Sequence, residues 1–495
     1  MITFLILLAA IAILVWGFLR ARPFGKLGIL AWLQSLVLMV PWLIFFGLFA
    51  AGVFLNLAGV LALVLISAGL YIYLGRQLRS LGADELAAKR ASSFAAVTEK
   101  EMGEGSASPT ETDEAEPAAD GEPAVTTIPT EELSQIEGIF GVDTFFRTET
   151  IPYQEGAIFK GNLRGEPEET AVKLGEMLAA RLGDRYRLFL LEGPEDRPVV
   201  IVLPGSADPK PTTTAQKVLC VALAIATLAT CLETSGILMG FDFFQETGRW
   251  PEILPLALGI FLILVVHEFG HFFQAQGYGI KTSPPFFLPA WQIGSFGSLT
   301  RFESLLPNRT VLFDIAFAGP AAGGVVSLVM LLIGLGLSHS GSLFQIPAGF
   351  FQSSILVGSL ARVMLGADVQ QNLIDVHPLV LLGWLGLVIN AINLMPAGQL
   401  DGGRIVQAVY GRKVAGRATI ITLIVLALVS FVNPLALYWA VLILFLQRNL
   451  ERPCLNDLSE PDDARAALGL LVLFLMLATL LPLSPGLAGR LGIGV

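Results

Sequence analysis

The sequence predicts a polytopic α-helical membrane protein of about 8–10 spans, with a small soluble α+β domain inserted after the third span. The composition points to this class, because 54% of the 495 residues are hydrophobic and only 15% are charged. Apolar stretches of about 20 residues, the length that crosses a bilayer, recur along the chain. A long polar interval follows the third of these stretches and predicts the soluble domain.

Residues 1–75 predict an amino-terminal membrane anchor of three spans. The predicted spans are residues 2–19, 28–49 and 52–74. The first has no basic residues ahead of it and no small-residue cleavage site, which favours an anchor over a cleaved signal peptide. Arg20, Arg22 and Lys26 follow it, and such residues accumulate on the cytoplasmic side of membrane helices. We therefore expect the amino terminus outside and the chain after the third span in the cytoplasm.

The polar interval predicts a linker at residues 76–129 and a cytoplasmic α+β domain at residues 130–210. The linker is acidic and has too few large apolar side chains to offset the entropy of ordering it, so we expect it to be disordered. In the domain, residues 167–183 have helical periodicity. Residues 186–192 and 198–204 are short apolar runs bounded by turn residues and predict strands.

The remainder predicts a membrane core at residues 211–450 and a carboxy-terminal span and tail at residues 451–495. The predicted spans here are residues 216–238, 253–275, 311–337, 376–396 and 465–483. Residues 418–447 are apolar but interrupted at Asn433 and Pro434, which fits either one kinked helix or a hairpin of two short helices.

Charge and cysteine content exclude two further classes. The net charge of −10 argues against a nucleic-acid partner, because duplex binding needs clustered lysine and arginine. The three cysteines have no C-x-x-C spacing, so neither a disulfide framework nor a cysteine-based zinc site is indicated.

The stretch VVHEFGH, residues 265–271, ends an apolar run with two histidines and a glutamate. Four residues apart on a helix, His267 and His271 lie on one face and can share a metal ion. Catalytic zinc takes three protein ligands and keeps a position for water, and Glu268 is placed to act as the general base. Ionisable residues beside a span are costly, which makes them a functional-site hypothesis.

Asp401 is the better candidate for a third ligand than either remaining histidine. It follows an apolar helix that is broken at Pro396 and Gly398, at the predicted cytoplasmic end of the span, where we also expect the histidine pair and hence the active site. A broken helix at membrane depth is tolerated where it lines a buried or watered cavity. His339 and His377 fall on the predicted outer side and are expected to be solvated or interfacial.

Together the two stretches resemble the signatures of the site-2 proteases, which are intramembrane zinc metalloproteases. The matching residues are His267, Glu268 and His271 for H-E-x-x-H, and Asn393, Pro396, Leu400, Asp401 and Gly402 for N-x-x-P-x-x-x-L-D-G. The resemblance implies that Asp401 is a zinc ligand and that Asn393 lies near the reaction centre. If its amide faces the site, Asn393 could stabilise an oxyanion, and the alternative role is a hydrogen bond to a neighbouring helix. The commoner pattern has a proline soon after the asparagine, whereas this chain has Leu394 and Met395.

Residues 161–165, GNLRG, resemble a motif of the plant and cyanobacterial branch called the ethylene-dependent gravitropism-deficient and yellow-green proteins. This similarity covers about residues 130–450, and the alternative reading of the motif is a surface turn. No Arg- and Ser-rich transit peptide precedes the first span, so we expect a bacterial or cyanobacterial plasma or thylakoid membrane.

The resemblance implies a protease with one zinc ion per chain that hydrolyses peptide bonds in or near the transmembrane segments of membrane proteins. A strand at the membrane boundary is expected to pair with the unwound substrate. Its residues are Gly294, Ser295, Phe296, Gly297 and Ser298. Anchoring in the interface is an equal alternative for this strand. The alternative functions are a multi-span transporter and a proteolytically inactive scaffold.

Overall fold

The computed structural model describes residues 128–493 except 154 and 194–196, residues 17–50 except 20, and parts of 66–78. The predicted spans at 2–19 and 52–74 and the predicted linker therefore lie wholly or mostly outside the described residues. The chain divides into two units. One comprises Met1–Glu122 with Leu426–Trp439, and the other comprises Pro123–Val425 with Ala440–Val495. The domain boundaries expected from the sequence stay predictions.

The described helices are α1 Gly25–Ala50, α2 Thr130–Glu137, α3 Pro167–Leu182, α4 Thr214–Leu238, α5 Trp250–Gly277, α6 Arg309–Leu337, α7 Gly349–Gln352, α8 Ile355–Leu365, α9 Pro378–Asn393, α10 Asp401–Val429, α11 Pro434–Leu442, α12 Asp463–Leu480 and α13 Pro485–Leu491. The described strands are β1 Phe145–Tyr153, β2 Gly156–Leu163, β3 Tyr186–Glu192, β4 Pro198–Pro204, β5 Phe286–Ala290, β6 Gly294–Leu299, β7 Phe344–Pro347 and β8 Leu373–Val376. A π-helical turn, Ile443–Gln447, follows α11.

The predicted soluble module, residues 130–210, contains an antiparallel sheet in the order β1-β2-β4-β3 with α2 and α3 packed against it. Alternate apolar side chains of the strands, such as Phe159 and Val200, meet the apolar face of α3 at Leu174 and Leu178 in a common core. The predicted helix and both predicted strands of this module are present. The GNLR motif lies at the end of β2 rather than in a surface turn, because Gly161 pairs with Arg147 of β1.

A short extended segment, residues 455–457, joins the soluble module to the membrane core. On one side the backbone amide of Leu190 in β3 donates to the carbonyl of Leu455 at 2.7 Å. On the other side the amide of Asn456 donates to the carbonyl of Pro307 at 2.9 Å. The edge of the sheet is therefore covered by backbone that also binds the loop ahead of α6.

Four helices in the described part of the chain are long and apolar enough to cross a membrane: Thr214–Leu238, Thr247–Gly277, Arg309–Leu337 and Asp463–Leu480. Each coincides with a predicted span. The span expected at 376–396 is a shorter helix, α9, because the chain leaves helical geometry at Leu394 and reaches a left-handed turn at Gly398.

The interrupted region at 418–447 forms two helical segments rather than one continuous helix. α10 ends at Val429 and α11 begins at Pro434. The carbonyl of Gln447 accepts a hydrogen bond from the amide of Gln399 at 3.0 Å, and the Thr419 hydroxyl accepts from the amide of Gly398 at 2.9 Å. Both ends of the region thus return to the break that precedes Asp401, which favours the predicted hairpin.

Small residues let α6 and α9 approach the histidine-bearing helix α5 closely. A side chain at Gly319 would overlap the His271 ring, and one at Gly323 would press on Asn390 and His267. Gly386 of α9 packs against Ser327 of α6 in the same way. Close helix packing through small residues therefore leaves room for imidazole rings and little else.

Candidate metal centre

The two motif histidines project from α5 into the membrane core. Both side chains are buried, and their Nε2 atoms lie 3.1 Å apart. The four-residue spacing on one helix face produces this proximity. Glu268 sits between them on the helix, with its Oε1 atom 4.0 Å from Nε2 of His267.

Asp401, 134 residues after His267, lies at the same point. Its Oδ2 is 3.1 Å from Nε2 of His267, and its Oδ1 is 3.3 Å from Nε2 of His271. Gly402 and Gly403 follow it, and a side chain at either position would collide with backbone of the preceding turn. The two glycines therefore permit the tight turn that brings the carboxylate to the imidazoles.

Hydrogen bonds on the far side of each ring fix the histidine tautomers. Nδ1 of His271 donates to the carbonyl of Ile315 at 2.7 Å. Nδ1 of His267 donates to Oδ1 of Asn390 at 2.8 Å, and the Asn390 amide is oriented by its own donation to the carbonyl of Gly386 at 2.8 Å. In the neutral rings both Nε2 atoms then carry lone pairs directed at the carboxylate of Asp401.

This donor set fits zinc. Two imidazole lone pairs and a carboxylate face one another inside a buried site, an arrangement that calls for a cation between them. Tetrahedral zinc with bonds of about 2.0–2.1 Å places its ligand atoms about 3.3 Å apart. The separations of 3.1, 3.1 and 3.3 Å among His267, His271 and Asp401 match that spacing. Outer hydrogen bonds of the kind made here by Asn390 and Ile315 are typical of zinc-ligating histidines.

The bond between Asn390 and His267 was not predicted from the sequence. The signal that could have found it is the position of Asn390 one turn before Asn393, on the helix that leads to Asp401. A buried histidine ligand needs an acceptor for its second nitrogen, and amides on neighbouring helices are the natural source.

The carboxylate of Glu268 is held by the end of the β5–β6 hairpin. Its Oε2 accepts a hydrogen bond from the hydroxyl of Thr300 at 2.7 Å, and its Oε1 accepts from the hydroxyl of Ser298. The backbone carbonyl of Thr300 in turn accepts from Arg404 at 2.7 Å, one turn after Asp401 on α10. Thr300 was not predicted as a site residue, because the sequence does not show where the hairpin folds.

Asn393 lines a small cavity together with Glu268, His271 and Asp401. The cavity measures about 10 Å³, which is about enough for one water molecule. Both amide hydrogens of Asn393 are engaged, one with the carbonyl of Ile389 at 2.8 Å and one with that of Phe296 at 3.2 Å. The predicted oxyanion role stays a prediction, and it requires the bond to Phe296 to break.

The predicted strand at 294–298 is β6, which pairs with β5 in an antiparallel hairpin. Gly294, Ser295, Phe296 and Gly297 are buried, and Ser298 is partly buried. The hairpin packs beside α4, where the Thr230 hydroxyl donates to the carbonyl of Gly294 at 2.6 Å. Pairing with a substrate stays a prediction for this strand.

The two other histidines lie apart from the site. His339 sits in an exposed loop, where its Nδ1 is 2.9 Å from the carbonyl of Ser340. His377 caps α9, with its Nδ1 accepting a hydrogen bond from the amide of Leu379 at 3.3 Å.

Residues 255–432, which carry all three candidate ligands, match the family described as Peptidase family M50, and residues 134–211 match the EGY3 middle domain. The chain is 40% identical over 366 residues to "Probable zinc metalloprotease EGY2, chloroplastic" of Arabidopsis thaliana, covering 72% of this chain and 65% of the relative. It is 37% identical over 395 residues to "Probable zinc metalloprotease EGY1, chloroplastic" of the same plant, covering 72% of each chain. The chain belongs to peptidase family M50.

A third relative, "Probable zinc metalloprotease EGY3, chloroplastic" of Oryza sativa subsp. indica, is 31% identical over 383 residues, covering 71% of this chain and 64% of the relative. The chain therefore spans somewhat less than two thirds of the length of several of these relatives. No solved structure matches it.

The expected bacterial membrane is contradicted by these relatives. Their names place them in the chloroplasts of plants.

Proposed function

We propose that this protein is an intramembrane zinc metalloprotease that cleaves membrane proteins in or near a transmembrane helix. The observation that carries the proposal is the meeting of His267, His271 and Asp401 at zinc-ligand spacing, inside a core of apolar helices. The names of the relatives and the membership in family M50 support the same activity.

In this proposal His267, His271 and Asp401 hold one zinc ion. When bound, zinc acidifies water and polarises the scissile carbonyl. Asn390 and Ile315 keep both Nε2 lone pairs free for the ion by occupying the opposite ring nitrogens.

Glu268 is the proposed general base, which accepts a proton from the attacking water at one of its carboxylate oxygens and later donates it to the leaving amine. Ser298 and Thr300 orient that carboxylate through their hydroxyls. The small cavity beside Glu268 admits about one water molecule and so limits competing reactions.

The substrate must expose its scissile peptide bond, since a helix hides its backbone in its own hydrogen bonds. We propose that β6 receives the unwound segment by strand addition. The Asn393 amide would then release the carbonyl of Phe296 and donate its hydrogen bond to the developing oxyanion. We also propose that the chain crosses the membrane 8–10 times, with the soluble module inserted after the third span.

The test is cleavage by the full chain reconstituted in vesicles with a panel of single-span membrane proteins. The wild type is expected to cleave at least one of them, to lose that activity to a chelator and to regain it with zinc. Glu268→Gln should bind zinc normally and cleave about 10²–10⁴-fold more slowly. Equal cleavage by the wild type and Glu268→Gln would refute the assignment of the base.

A further inference from the structure

A polar cavity of about 170 Å³ lies beside the metal centre. It is lined by residues 209–210, which leave the soluble module, by residues 301–306, which follow the β5–β6 hairpin, and by residues 451–453. Gln399 lines both this cavity and the small cavity at the metal centre. The two cavities therefore adjoin each other at Gln399.

The wall of the larger cavity carries five charged side chains. Lys210, Arg301 and Arg452 are basic, and Glu303 and Glu451 are acidic. The formal balance is positive, in a chain that has 41 acidic and only 31 basic residues. The local charge is thus opposite in sign to that of the protein as a whole.

Both acidic side chains are committed to internal bonds. Glu303 Oε1 accepts hydrogen bonds from the backbone amide of Thr212, at 2.8 Å, and from the Thr212 hydroxyl. Glu451 is buried and pairs through Oε2 with Arg404 at 2.8 Å. Arg404 therefore neutralises Glu451, whereas Glu303 keeps its negative charge and fixes the segment that enters α4 through one carboxylate oxygen.

The three basic side chains remain available to bind a ligand in the cavity. All of them are exposed, and within the described part of the chain no carboxylate forms an ion pair with any of them. The guanidinium of Arg301 lies over the ring of Phe286, 5.3 Å from its centroid, which orients the charge without neutralising it. Arg452 donates one hydrogen bond, to the carbonyl of Ala207 at 2.9 Å, and keeps its other donors.

We propose that this cavity binds an acidic side chain of the polypeptide that enters the metal centre, a few residues from the bond to be cleaved. Carboxylate is the chemical class that Arg301, Lys210 and Arg452 recognise together. The identification of the ligand as substrate rests on the proposed function, whereas binding of an acidic peptide does not. A peptide is favoured over an anionic lipid because the walls are loop segments continuous with the metal centre.

The experiment measures binding to the full-length Glu268→Gln variant in detergent micelles, so that no cleavage is needed. Fluorescence anisotropy compares a labelled oligoglutamate peptide with oligoglutamine and oligolysine peptides of equal length. The oligoglutamate peptide is expected to bind. Adding the Arg301→Glu substitution is expected to weaken its affinity about tenfold. Lys210→Glu should weaken it as well, which guards against a folding defect peculiar to Arg301.

Lys173→Glu is the matched control, because Lys173 is exposed on α3 outside the cavity and the substitution changes the charge by the same amount. The inference is overturned if oligoglutamate binds no better than oligoglutamine, or if Lys173→Glu weakens it as much as Arg301→Glu. It is also overturned if a short-chain phosphatidylglycerol binds in an Arg301-dependent manner while the peptide does not. A protein that binds the peptide but cleaves no substrate would contradict the proposed function alone.

Discussion

The two halves of the candidate site are held by different parts of the molecule. The proposed ligands are fixed by the helix bundle, with Asn390 of α9 and Ile315 of α6 behind the imidazoles. The proposed base Glu268 is fixed by hydroxyls at the end of the β5–β6 hairpin. We therefore predict that substitutions can separate zinc binding from proton transfer, although His267 and Glu268 are adjacent in sequence and Arg404 of α10 binds the end of the hairpin.

The separation has a physical basis in packing. Around the imidazoles, Gly319 and Gly323 of α6 lie directly against the His271 ring and the His267 side chain, so the ligand half is closely packed. The hairpin is a sheet of two strands. Such a hairpin is stable only through what it packs against. A substrate that pairs with β6 would therefore act on the base half and leave the ligand half in place.

Removal of a proposed ligand should produce the largest effect and abolish both zinc binding and cleavage. His271→Ala is expected to lose its zinc and to show no detectable cleavage, because two remaining ligands hold zinc poorly. Metal analysis of the purified protein and the vesicle cleavage assay measure the two losses. His339→Ala, in an exposed loop, is the control and should keep both. Retention of zinc by His271→Ala would contradict the ligand assignment.

A change behind the ligands should weaken zinc binding by less. Asn390→Leu removes the acceptor for Nδ1 of His267, and loss of such an outer partner typically costs about 10–100-fold in metal affinity or activity. Competition with a zinc chelator measures the affinity. Asn390→Asp keeps an acceptor at this position and should recover most of it. Unchanged zinc affinity in Asn390→Leu would place the amide among purely structural groups.

A change in the hairpin should affect cleavage and spare zinc. Thr300→Val removes one of the two hydroxyls that orient Glu268, a bond to a charged group worth about 1.5–3 kcal/mol, so kcat is expected to fall about tenfold or more. KM and zinc content should stay near the wild-type values. Thr300→Ser restores the hydroxyl and should restore kcat. A Thr300→Val protein that loses zinc would show that the two halves are not separable.

Much of the fold follows from local sequence. The four long helices are predicted by apolar runs of about 20 residues. The helix and strands of the soluble module are predicted by the spacing of their apolar residues, so a short window of sequence is enough for each. The end of α9 was less predictable. This helix ends at Asn393, and the left-handed turn at Gly398 directs the chain back so that Asp401 reaches the histidines. Hydropathy does not register that turn.

Some residues of the candidate site can likewise be predicted from local sequence and others cannot. His267 and His271 share a helix face, so their proximity can be read from four-residue spacing. The placement of Asp401 came from a broken helix and a family resemblance, since contacts across 134 residues leave no local pattern. Asn390 and Thr300 reach the site only through helix packing and hairpin folding. The one local signal for Asn390 is its position one turn before Asn393, and Thr300 has no such signal.

The zinc content of Asp401→Ala is the most direct test of the proposed ligand set, because Asp401 would join two distant parts of the chain at one ion. After dialysis against a weak chelator, the wild type should retain one zinc per chain and Asp401→Ala should retain almost none. Asp368→Ala, an exposed carboxylate elsewhere, should match the wild type. If Asp401→Ala kept one zinc with wild-type affinity, the proposed ligand set would be wrong.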